Sequence, residues 1–84
     1  MPETQEYHHP DYGTRREHVA RTKAMALEIV EKGTPLDAFT CVVSMFAKHP
    51  ETVNHFALEL GMMQMVAGML KTPEEMREFI EGIG

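Results

Sequence analysis

The chain has 84 residues and a formal net charge of −5, with 25% charged and 43% hydrophobic residues. That length supports one domain with a small core, and the composition is that of a globular chain rather than a disordered one. The acidic balance argues against a general nucleic-acid or anionic-membrane binder, which would present basic surface.

Up to Gly33 six acids stand against five bases, and beyond it seven against three, so the acidic excess lies in the C-terminal half. The single cysteine, Cys41, has no partner for an internal disulfide, which suits a reducing compartment. The first residues lack the basic and apolar regions of a signal peptide. The most apolar run, Leu60–Leu70, is about eleven residues long and contains Gln64, whereas a membrane span needs about 20. A cytoplasmic, soluble protein without a membrane segment is the expectation.

Residues 1–13 are polar, hold Pro2, Pro10 and Gly13, and show no periodicity, which predicts a flexible arm. Thr14-Arg-Arg-Glu17 has capping-box spacing and opens a helix over 15–32 that stops at Gly33. Thr34-Pro35-Leu36-Asp37 opens the next, with threonine as cap, proline at the first turn and a carboxylate at the positive end of the dipole. It runs over 35–48 and ends before Pro50. A third helix is expected over 51–71. Thr72-Pro73-Glu74-Glu75 repeats the cap-proline-acid device and opens a fourth over 73–81. The two Thr-Pro starts reflect common helix-start chemistry, since the core positions after them do not align. The reading is an all-α chain: a compact four-helix domain over 14–84 behind the arm.

The first helix places Val19, Ala26, Leu27 and Val30 on one side, with Lys23 falling awkwardly near the middle of that arc. The second is apolar nearly all round, through Leu36, Phe39, Val42, Val43, Met45 and Phe46. The fourth shows one stripe of Met76, Phe79, Ile80 and Ile83.

The third helix differs, because it carries two apolar seams. Val53, Phe56, Leu60, Met63, Ala67 and Leu70 make the first, which is assigned to the domain's own core. Ala57, Gly61 and Gly68 flank it and would permit close packing. Leu58, Met62, Met65 and Met69 make the second, on the opposite side, with His55 and Val66 beside it. A helix in a small soluble domain usually buries one stripe. The second seam is therefore either additional core or an interface, and methionine suits an adaptable interface.

The functional expectation is a small non-catalytic interaction module, of regulator or inhibitor type. It would dock on itself as a homodimer or on a larger protein, and no cofactor is implied. Leu58, Met62, Met65, Met69, Val66 and His55 would form the contact, with Arg15 and Arg16 or the acidic fourth helix at its rim. The alternative is a soft-metal protein, with Cu(I) held by Met62, Met65, Met69 and His55. Zinc is poorly served by one cysteine and no paired-ligand motif. Glu51, His55 and Glu59 lie one helical turn apart, but surface pairing explains that spacing more simply than acid–base catalysis. Cys41 reads as a buried, inert thiol with no base beside it.

Overall fold

Threonine caps set where three of the four helices begin. The computed structural model describes residues 7–84, in which α1 spans Arg15–Lys32, α2 Pro35–Phe46, α3 Phe56–Val66 and α4 Pro73–Glu81. Thr14, Thr34 and Thr72 each accept a hydrogen bond from the backbone N–H three residues on. The side chains of Glu17, Asp37 and Glu75 bond back to the cap N–H groups, completing three capping boxes. The bonds that Thr14 donates hold the Glu17 carboxyl below its ordinary range, and those from the Thr72 and Lys71 N–H groups do the same for Glu75.

α1 and α4 match the sequence reading at both ends. α2 ends two residues earlier than expected, at Phe46. The Thr52 hydroxyl folds back and donates to the Phe46 carbonyl at 2.8 Å, so a turn occupies the segment assigned to the start of the third helix. α3 is consequently much shorter than the expected 51–71. His55 is its N-cap, its Nδ1 accepting from the Ala57 N–H at 3.0 Å. At the other end Gly68 adopts φ +79, where other residues are strained. There the Met69 N–H bonds to Gln64 O at 2.8 Å and the Gly68 N–H to Met65 O at 3.0 Å. That pair of bonds is the Schellman arrangement, which terminates a helix. Gly68 is thus a stop signal and not a packing residue.

The core is built from Val19, Ala26 and Val30 of α1, Ala38, Phe39, Val42 and Phe46 of α2, and Met76 and Ile80 of α4, closed by Ile83. α1 packs chiefly on α2 and then on α4, while α3 meets α2. α3 turns its smallest residues inward: within it, Ala57 and Gly61 are the buried positions. A Cβ at Gly61 would lie 2.8 Å from Phe39 Cζ and 2.9 Å from Phe79 Cζ. The two rings occupy the space a side chain would need.

Lys23 explains its odd position by reaching the end of α4. Its Nζ donates to Glu81 O at 3.0 Å and to Ile83 O at 2.8 Å, a cation placed on the negative end of a helix. Arg15 Nη2 and His55 Nε2 both donate to Gly84 O, at 3.1 and 2.8 Å. Of the arm expected over 1–13, residues 1–6 lie outside the described residues. Residues 9–13 form a turn closed by two backbone bonds between His9 and Gly13, at 2.8 and 2.9 Å. The His49 ring then donates to Gly13 O at 3.0 Å and ties this turn to the domain.

Gly61 yields a prediction with an inverted sign. Glycine to alanine inside a helix normally stabilises by about 1 kcal/mol. Gly61→Ala instead overpacks Phe39 and Phe79, and urea unfolding is expected to show a loss of about 1–3 kcal/mol. A gain in stability would mean that α3 does not approach the two rings this closely.

Candidate functional site

The inward placement of Ala57 and Gly61 decides what α3 shows to solvent. At 100° per residue, the positions opposite them are Phe56, Glu59, Met62, Met63 and Val66. Phe56 is 66% exposed, Met62 60%, Met63 67% and Val66 89%. Four large apolar side chains therefore share one exposed helix face, with the carboxylate of Glu59 set among them. Met62, Met63, Val66 and Ala67 line a shallow, almost wholly apolar depression.

The two seams expected from the sequence are reassigned by this geometry. The first seam was expected to be core, yet Phe56 and Met63 point outward and Val53 and Ala67 are exposed, while Leu70 is buried and Leu60 half-buried. The second seam divides. Leu58 and Met65 are half-buried and pack against the core, whereas Met62 and Met69 are exposed. Both corrections have one cause: an 11-residue helix held by its small residues is rotated away from the orientation that places its large residues inside.

Two clefts line the junction of α3 and α4, and Glu78 and Phe79 border both. One, of about 300 Å³, lies among His55, Phe56, Leu60 and Ile83. The other, of about 340 Å³, lies among Gln64, Met69, Leu70 and Glu75. Arg15 donates to the same Gly84 O as His55 but does not line the first cleft. Arg15 and Arg16 are exposed and both line a separate groove between α1 and the C-terminal residues. Among the described residues the only ion pair is Lys32–Glu28, so Glu59 and Glu78 face solvent without a cationic partner there.

The soft-metal ligand set is not gathered. Met65 turns inward while Met62 turns outward, Met69 lies beyond the end of α3, and both ring nitrogens of His55 are engaged with backbone groups. Among the described residues no group of three or more His, Cys, Asp or Glu side chains forms a metal site. Glu51, His55 and Glu59 do not line up on one helix either, because α3 begins only at Phe56. Cys41 is half-buried, and burial raises its thiol pKa, which disfavours the nucleophilic thiolate. No helix among the described residues is long and apolar enough to cross a membrane.

A histidine cluster escaped the sequence reading. His18 and His49 are both fully buried and stack at 5.4 Å between centroids, with His9 5.8 Å from His49. Tyr12 packs on His18 at 5.1 Å and Tyr7 on His49 at 5.5 Å. These rings come from the N-terminal turn, α1 and the segment after α2, so sequence proximity could not reveal them. His18 Nε2 donates to Met45 O, and its Nδ1 is buried without a hydrogen-bond partner. Protein-family, curated-protein and solved-structure comparisons return no match to this chain.

Burial lowers the pKa of His18 from its ordinary value of 6.5, and the nearby charges of His49, Arg21 and His9 act in the same direction. The unfolded chain then takes up a proton that the folded chain refuses, so stability falls as pH drops below about 6.5. The thermal midpoint of the parent is expected to fall between neutral and mildly acidic pH. His18→Gln, which keeps a donor for Met45 O, should show a shallower decline. Equal slopes for the two proteins would remove His18 as the cause.

Proposed function

We propose that the protein is a small non-catalytic interaction module, of regulator or inhibitor type, that docks on a protein partner through the outward face of α3. The observation that supports this reading is the exposure of Phe56, Met62, Met63 and Val66 together on one helix face, at 60% or more each. Scattered exposed apolar residues are ordinary, but a contiguous set marks an interaction site. Leaving such a face wet is unfavourable by roughly 25 cal/mol for each Å² that a partner could cover. Two thioethers, with one aromatic ring at the N-terminal end of the face, provide adaptable contact area without a fixed polar code. A helix face with anchors three, four and seven residues apart suits another helix laid against it.

The expected contact set is thereby revised. Met62, Met69 and Val66 remain available from the sequence reading, and Phe56 and Met63 join them. Leu58 and Met65 act from beneath, packing the helix onto the domain. A cytoplasmic location is part of the proposal, consistent with the single free Cys41.

Met63→Glu and Val66→Glu test the reading. Both positions are exposed, so each variant should keep its helical signal and unfold within about 0.5 kcal/mol of the parent. Met76→Glu, at a fully buried position, should unfold the domain. Any association of the parent, with a captured partner or with itself in sedimentation velocity, should be lost in both α3 variants. Association that survives both charges, or unfolding of Met63→Glu, would overturn the proposal.

A further inference from the structure

Resting on that reading, we infer that the partner which covers the α3 face is a basic amphipathic helix of another protein rather than a second copy of this chain. Charge complementarity around an apolar floor favours that partner. Glu59 is exposed within the apolar face of α3, and Glu78 borders both clefts between α3 and α4. Neither carboxylate has a cationic partner among the described residues. Glu75 lines the second cleft, its carboxylate already accepting from the Lys71 and Thr72 N–H groups.

A closed dimer would be built on a two-fold axis, so the same patch would meet itself. The patch carrying Glu59 and Glu78 would then face a copy with the same two carboxylates and no added cation, between chains that each carry −5. Like charges brought together at an interface are unfavourable and steer copies apart. A helix with lysine or arginine flanking an apolar stripe inverts both effects. Its apolar side chains would enter the clefts beside Phe56–Leu60 and Gln64–Leu70, and its cations would meet Glu59 and Glu78. The fit is also one of length, since the 11 residues of α3 rise through about 16 Å. That matches three turns of a facing helix.

The experiment is calorimetric titration of the intact protein with three model peptides: leucine and lysine at helical spacing, leucine and glutamate at the same spacing, and the leucine–lysine composition scrambled. The leucine–lysine helix should bind one-to-one, roughly tenfold more weakly once salt screens the charges. The other two peptides should bind at least tenfold more weakly than it does. Glu59→Gln with Glu78→Gln should weaken the leucine–lysine helix several-fold without changing the fold, and Met63→Glu should lower its affinity by steric and desolvation loss. Sedimentation of the protein alone should show a monomer.

Equal binding of the scrambled peptide, or indifference to the Glu59→Gln and Glu78→Gln pair, overturns the partner assignment. A parent dimer that Met63→Glu dissociates overturns it in favour of a second copy, while leaving the docking face intact. No peptide binding and no association of any kind defeats the docking face as well.

Discussion

The contact between Gly61 and the rings of Phe39 and Phe79 governs the rest of this structure. A helix can approach two aromatic rings so closely only where it has no side chain. Once α3 is seated on that contact, its rotation is set, because residues at fixed angles must follow. Ala57 joins Gly61 inside, and Phe56, Met62, Met63 and Val66 are carried outside. The apolar surface that carries the proposed function is thus a consequence of how the domain packs. A bulkier inward residue would push α3 off the rings and redistribute the exposed face.

The ends of the chain support that arrangement from two directions. Arg15, Lys23 and His55 draw the carbonyls of Glu81, Ile83 and Gly84 against α1 and the start of α3. This closes α4 onto the core and forms one wall of the cleft beside Phe56. On the far side His49 holds the N-terminal turn through Gly13 O, and the stacked His18 and His49 rings fill the space beneath it. His55 belongs to the site by position alone: it caps α3, clasps Gly84 and packs on Phe46 at 5.0 Å between centroids. Its two ring nitrogens are occupied by those structural tasks, which leaves the proposed contact to its apolar neighbours.

The surface combines two properties that a small acidic domain rarely leaves uncompensated side by side. Apolar bulk on α3 favours burial, while the carboxylates of Glu59 and Glu78 resist it unless a cation arrives with the partner. In the proposed complex the apolar floor would supply affinity, and the acids would select against other copies of the same chain. Such a division between adhesion and selection is the general logic of a specific interface.

Much of the fold was legible in the amino-acid order because its signals are local. The three threonine caps with an acid three residues later, the prolines at two first turns and the stripe Met76–Phe79–Ile80–Ile83 act within a few residues. Each was read where the structure places it. Gly68 carried an equally local stop signal, but the apolar pattern continuing through Met69 and Leu70 masked it and lengthened the third helix. The face of α3 was not legible in the same way. Hydrophobic periodicity assumes that large apolar residues seek the core, and in this helix glycine and alanine took that place. The amino-acid sequence alone determined four helices, three of them opened by threonine caps, and one of the four too apolar for a single buried stripe. Only the tertiary structure decided which stripe stayed wet, because Phe39 and Phe79 come from other helices and leave room for no side chain at Gly61.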